Sequence, residues 1–448
     1  MNIVQPKLTA SIGVSLHSLA AEAERAIQEK VREEISRLLG ERQLLTLGSE
    51  DEERLHSLIR RQVAEYQREA AHTNTLVLPD ADATQRRIFH NLFGWGVLQP
   101  LMDDPEIEEV ACNGPGRIHV FRRTEWEFVE NLRFEDDDDL IALVKRRIAP
   151  SGRRLDEAQP MADVCLSDGS RLNVVLPPAA VGGSLVTIRK FVLRTQTLAG
   201  LLRLGAFPDE VAYFLECAVR ARLNVLISGS TGAGKTTLLN ALGSVVPPSE
   251  RVVTIEETAE LALADHLPNC AALQGRGANQ EGVGDISIRE LVRNALRMRP
   301  DRIVVGEVRG EEALDMLQAM NTGHEGSLTT LHAAGARDAL DRLVTLASWA
   351  PERPNEATLR KTVANTIHLV LQLRRDPITH RRRVTQVFEV TGFERDNGTI
   401  TGHDLWALDP AGEKLRWTGA TPKSLERMKA NGVPYAPPLL SNASGQER

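Results

Sequence analysis

Apolar positions near the start of the chain recur at helical spacing. Ile27, Val31, Ile35 and Leu38 form one stripe, with Gly40 after it as a stop, and Leu55, Ile59 and Val63 form a second. The second follows Ser49, which with Glu52 has the spacing of a capping box. The first stripe is too short for a coiled coil, so the pattern predicts short amphipathic helices packed against something. From about residue 87 the pattern changes to short strands and turns. "EEVACNGPGRIHVF", which contains Asn113-Gly114, and the runs "ADVCLSDGSRLNVVLPP" and "SLVTIRKFV" read as strands. Between them, Asp136 to Asp139 precede "LIALVKRRIA", which places acids at the positive end of a predicted helix and points to a cap rather than a metal site. From about residue 206 strand-like and helical stretches alternate, as in a parallel α/β sheet.

These shifts predict a helical accessory segment over 1–80, a small α+β domain over 81–205, an α/β domain over 206–410 and a tail over 411–448. Composition narrows the class. With 42% hydrophobic and 26% charged residues the chain is expected to fold and stay soluble. A net charge of -7 and a pI near 6.0 give no global field for nucleic acid or anionic lipid. No apolar run reaches the roughly 18 residues of a membrane span, and "MNIVQPKLTASIGVSLHSL" lacks the form of a signal peptide, so a cytoplasmic location is expected. Cys112, Cys165, Cys217 and Cys270 are widely spaced and read as small buried hydrophobes.

The most informative stretch is "LNVLISGSTGAGKTTLLNAL", residues 223–242. Gly229, Ser230, Thr231, Gly232, Ala233, Gly234, Lys235 and Thr236 fit G-x-x-x-x-G-K-[ST], with a strand-like run before them and a helical run, starting Thr236-Thr237, after. Glycines let the backbone turn tightly so that successive amides point inward, and a helix N-terminus adds partial positive charge. Lys235 is expected to reach the β and γ phosphates of a nucleotide, and the Thr236 hydroxyl to ligate Mg²⁺.

A hydrolytic nucleotide site also needs acids. "RVVTIEETAEL" ends a β-branched run with Glu256, Glu257 and then Glu260, and "DRIVVGEVRG" ends another with Glu307 and Arg309. In an open α/β sheet such strand ends gather at the ligand crevice. In "NTGHEGSLTTLHA", His324 and His332 are separated by a gap awkward for a shared metal. A histidine at a strand end could instead sense a γ-phosphate, and by pattern alone a structural histidine fits as well.

The four blocks, in this order, resemble the Walker A, Asp box, Walker B and His box of the secretion ATPase superfamily, which includes type II and type IV secretion and type IV pilus motors. More narrowly, "DEAQPMADVCLSDGSRLNVVLPP", "TIRKF", "LVRNALRMRPDRIVVGEVRG" and "MNTGHEGSLTTLHA" resemble the CpaF-like ATPases of Tad/Flp pilus assembly. The likeness runs from about 87 to 405. It implies a homo-hexameric, Mg²⁺-dependent ATPase on the cytoplasmic face of an inner-membrane platform protein, with no nucleic-acid partner. Each subunit has a small α+β domain and a RecA-like domain, with ATP between them. Carried over by position, Glu260 is the catalytic glutamate, Glu307 the Walker B acid, and His324 and His332 the His box. Glu256 and Glu257 are candidate metal ligands, and Arg171 and Arg189 are guanidinium donors to the nucleotide, with Arg293, Arg297 and Arg299 as further candidates.

Two features depart from the family pattern. Glu256-Glu257 stands where Glu-Asp is usual, and the tetracysteine zinc module of many type II secretion ATPases is absent, which favours the pilus and type IV branches. The ATPase of a type IV secretion channel is the nearby alternative. A DNA-dependent motor fits poorly with 4% aromatic residues and a negative net charge. The basic run "LRRDPITHRRR" is expected to form a hairpin tip facing water, with phospholipid headgroups as the alternative.

Overall fold

The computed structural model describes residues 22–35, 37, 49–73, 77–122, 125–166, 168–191, 197–277 and 283–437. The chain divides into two compact units, 1–192 and 193–448.

In the first unit, helices over 22–35, Ser49–Thr73 and Ala81–Phe93 bury Ile27, Val31, Ile35, Leu55, Ile59, Val63, Ile88 and Leu92 against one another. The two stripes read from the sequence therefore face each other. Leu38 and Gly40 lie outside the described residues, as does the side chain of Ser49. Six strands follow: β1 (Ile107–Asn113), β2 (Ile118–Arg122), β3 (Glu125–Phe128), β4 (Met161–Cys165), β5 (Arg171–Val175) and β6 (Leu185–Arg189). They form an antiparallel sheet in the order β3-β2-β1-β6-β5-β4. One face buries Val110, Val120, Val164, Leu172, Val174 and Ile188 with Leu140, Val144 and Ile148 of helix Asp137–Ile148. Asp136 is the N-cap of that helix, its carboxylate accepting from the Asp139 amide at 2.9 Å.

Strand alternation corrects one expectation. Cys112 and Cys217 are buried, but Cys165 occupies an outward position of β4 and is exposed, while Cys270 is half-buried.

The second unit is built on nine strands: β7 (Val225–Gly229), β8 (Val252–Glu256), β9 (Cys270–Gln274), β10 (Arg302–Val305), β11 (Leu328–Leu331), β12 (Leu369–Arg375), β13 (Arg382–Glu394), β14 (Thr399–Leu408) and β15 (Leu415–Trp417). Their order is β15-β14-β13-β12-β7-β11-β10-β8-β9. The six from β12 to β9 are parallel, and β13 to β15 add an antiparallel extension. Every residue of β7, β8, β10 and β11 is buried, as expected of parallel strands covered by helices on both faces. Two apolar clusters fill those faces, one around Phe214, Leu239, Leu242 and Trp406, the other around Val292, Leu317, Leu343 and Phe388. This is the RecA-like α/β arrangement, with the strand before the glycine loop near the middle and β11 between it and β10.

The unit boundary falls before 205 because Leu198 and Leu201 of helix Leu198–Arg203 join the cluster of the second unit. The segment after 411 is likewise more than a tail: β15 extends the sheet, and Met428 of helix Leu425–Ala430 is buried in the same cluster.

At the N-terminal edge of the parallel strands, the Asn224 amide donates to His368 Nδ1 at 2.8 Å. Burial, aided by the charges of Arg427 and Lys423, pushes His368 down from 6.5 to about 3. The unfolded chain therefore takes up a proton below pH 6.5 that the folded chain refuses until near pH 3, so stability falls with pH across that window. Urea unfolding at pH 5 is expected to show about 2 kcal/mol less stability from this group than at pH 7.5. In His368→Asn this part of the slope disappears, and an unchanged slope in the variant contradicts the assignment.

Candidate nucleotide site

The glycine loop leaves the end of β7 and enters helix Lys235–Gly243. Gly232 and Gly234 have φ of +71° and +93°, values that side chains disfavour, so both glycines are needed for the turn. Gly229 is required for space: a Cβ there would stand 2.6 Å from the Leu373 carbonyl oxygen on neighbouring β12. The result is a tight loop whose amides precede a helix N-terminus, the geometry that suits a phosphate.

Lys235 is 7% exposed, and its Nζ donates to the Gly229 and Ser230 carbonyls, both at 3.3 Å. It also stands 3.2 Å from Nδ1 of His332, whose Nε2 is 2.7 Å from Glu307 Oε1. Partial desolvation of a ring that stays 41% exposed, and the Lys235 charge, hold His332 below its ordinary value, with Glu307 opposing, so the ring is neutral at neutral pH. Lys235 Nζ is also 3.3 Å from Nε2, so the ammonium faces both ring nitrogens, with the Glu307 carboxylate beside them. For Glu307, burial acts upward, but Arg309, His332 and Lys235 together outweigh it and keep the carboxyl below its usual range. Arg309 donates to Glu307 Oε2 at 2.9 Å and to Glu257 Oε2 at 3.0 Å, tying the ends of β10 and β8 together.

Glu256 is buried, and its Oε1 accepts from the amides of Glu260 and Leu261 at 2.9 and 3.1 Å. That shapes the loop carrying Glu260. Gly306 makes room for it, since a Cβ there would lie 2.8 Å from Glu256 Cγ. The same loop is tied to the phosphate-loop helix by Asn240, which donates to the Glu260 carbonyl at 3.2 Å and accepts from the Ala262 amide at 2.9 Å. Glu307 above all, with Glu257 and Glu260, raises Arg309.

A model for type II/IV secretion system proteins matches residues 93–403 of this chain. The chain belongs to the type II/IV secretion system protein family. A putative conjugal transfer protein of Mycobacterium tuberculosis is 37% identical over 338 residues, covering 73% of this chain and 92% of the relative. Type IV secretion system protein PtlH of Bordetella pertussis is 36% identical over 320 residues, covering 66% and 94%. Among solved structures, the VirB11 ATPase of the Brucella suis type IV secretion system, in complex with sulphate, is 29% identical over 65% of this chain and 95% of that one, with a TM-score of 0.36. With its glycine loop, lysine and strand-end acids in place, the site of this secretion family member has the parts that nucleotide hydrolysis needs.

Not every residue singled out in the sequence of this family member joins the cluster. β11 lies between the two histidines and runs parallel to β7, so His332 follows its C-terminal end beside the loop while His324 precedes its N-terminal end. There His324 Nδ1 faces the Ala319 carbonyl at 3.1 Å, in the turn whose Gly326 amide donates to Asn224. The structure thus does not bring His324 to Lys235. Arg293 is engaged elsewhere, with Asp315 at 2.6 Å and Glu352 at 3.0 Å, beside buried Arg289. In the first unit Arg171 and Arg189 are cross-strand partners on β5 and β6, on the face away from the apolar core, and Arg189 is 3.9 Å from Glu109. Sequence reading missed Asn240, although a lone polar residue in "TTLLNALG" was a signal, and it missed the span of Arg309 between two acids.

Proposed function

We propose that the protein is the Mg²⁺-dependent motor ATPase of a Tad/Flp-type pilus assembly machine. It would act as a homo-hexamer on the cytoplasmic face of an inner-membrane platform protein, without nucleic acid. Lys235, paired with neutral His332 beside Glu307 at the end of the glycine loop, is the observation that supports nucleotide turnover. The CpaF-like stretches of the sequence support the pilus reading. No helix among the described residues is long and apolar enough to cross a membrane.

In this reading, loop amides of 229–236, with Lys235 and Thr237, hold the phosphates, and His332, 3.2 Å from Lys235, senses the terminal one. Among the described residues no group of three acids, histidines or cysteines is arranged to hold a metal. Mg²⁺ binds through one or two protein ligands, phosphate oxygens and waters. Thr236 is the proposed ligand, with Glu257 in support. Glu256 is left out because its carboxylate holds the 260–261 amides. The bound ion would offset phosphate charge. Glu260 is the proposed base that orients the attacking water, and Arg171 and Arg189 are proposed guanidinium donors to the phosphates.

Glu260→Gln is therefore expected to bind ATP within about threefold of wild type while turnover falls about a hundredfold or more. Equilibrium binding beside phosphate release measures both, and retained turnover overturns the role. The names of the relatives favour a second reading, the ATPase of a type IV secretion channel. In a strain carrying Lys235→Ala, the pilus reading predicts loss of surface pilin with channel secretion intact, and the reverse outcome selects the channel.

A further inference from the structure

The basic run at 374–383 forms the junction of β12 and β13, and one of its arginines reaches the glycine loop. Arg382 Nε donates to the Gly232 carbonyl at 2.9 Å. Its stem covers the neighbouring glycine, since a Cβ on Gly234 would lie 3.5 Å from Arg382 Cδ. The hairpin that carries it is fixed on several sides. Leu373 pairs with Gly229, Arg383 donates to the carbonyls of Gly412 and Glu413 at 2.8 and 2.6 Å, and Asp376 accepts from the amides of Ile378 and Thr379 at 2.9 and 2.7 Å. The arginine that reaches the loop thus stems from a hairpin tied to its neighbours on several sides. The peptide unit that Arg382 holds by its carbonyl carries the Ala233 N–H, which donates to the Ser230 carbonyl at 3.2 Å, so the contact fixes the 230–233 turn within which Gly232 takes its positive φ.

We propose that Arg382 is a positioning residue for the phosphate loop, holding the Gly232 carbonyl and with it the 230–233 turn, so that the loop already has its shape for phosphate before the nucleotide arrives. This rests on the nucleotide reading above. It assigns to part of the basic run a job inside the second unit, distinct from a surface facing water or lipid. A preset loop spends less binding energy on ordering, so losing the contact weakens nucleotide affinity more than it slows the bound-state chemistry.

The test titrates N-methylanthraniloyl-ADP with Mg²⁺ into the full chain and measures KM and kcat for ATP. Arg382→Met keeps the stem over Gly234 and removes the donor. It is expected to weaken ADP binding and raise KM about tenfold, with kcat within about threefold, the scale of one charge-assisted hydrogen bond. Arg382→Lys, which can still donate to a single carbonyl, is expected to restore affinity to within about threefold. Arg383→Ala loosens the same hairpin through the Gly412 and Glu413 carbonyls and is expected to leave ADP affinity within about twofold. Affinity in Arg382→Met within twofold of wild type overturns the proposal. So does an equal loss in Arg383→Ala, which assigns the effect to hairpin stability. If Arg382→Met does not fold, Arg382→Lys and Arg382→Gln are compared by the same criteria. A wild-type chain that binds no ADP overturns the nucleotide reading itself.

Discussion

Lys235→Ala is expected to cut ATP turnover by at least about a hundredfold, with the folded state preserved. In the structure Lys235 links the glycine loop to His332, and through that ring to Glu307. Alanine removes the cation that would meet the terminal phosphates, along with the charge that helps keep His332 neutral. The His332 resonances, followed by NMR, are then expected to titrate at higher pH than in wild type, because burial and Lys235 are what hold the ring down. Turnover within tenfold of wild type in this variant contradicts the assignment of the loop.

The largest expected effect on stability lies away from the site. Arg302 is fully buried at the start of β10, and its Nε and Nη2 donate to the two oxygens of Glu250 at 2.6 and 3.1 Å. Its Nη1 donates to the Val219 and Gly326 carbonyls at 2.7 and 3.2 Å. This one side chain joins helix Asp209–Arg220, the turn before β8 and the turn before β11. Glu250→Ala leaves the guanidinium buried without its carboxylate, an error that costs about 3–5 kcal/mol. In a unit of this size that corresponds to a fall in melting temperature of about 10 °C. Calorimetry measures it, and a fall under about 2 °C contradicts the account. Arg302→Met with Glu250→Leu is expected to cost less than Glu250→Ala alone, since no charge is then stranded.

What the sequence made legible was local. The run into Gly229, the glycine spacing and the helix after Thr236 are set by neighbours a few residues apart, and they stand where expected. The helical stripes at 27–35 and 55–63 were equally clear, since each face is written at one period along one element. Roles that depend on sheet order were hidden. Glu256 and Glu257 look alike at the end of β8, yet the first is turned inward to cap the next loop and the second pairs outward with Arg309. What gives Glu256 its inward space is the missing side chain of Gly306, just past the end of adjacent β10 and far along the chain. His324 and His332 look like a pair in the sequence, but a whole strand lies between them. Arg382 could be read as part of a basic tip, while its partner Gly232 becomes visible only once β12 is known to lie beside β7.

The central claim is that the cluster at the end of β7 turns over MgATP in an assembled ring. Phosphate release by the full chain, measured across protein concentrations beside light-scattering mass, with and without DNA, tests it most directly. The account predicts Mg²⁺-dependent release that rises with assembly to a hexamer and is indifferent to DNA. Absence of release in every assembly state, or release only when DNA is present, would contradict it.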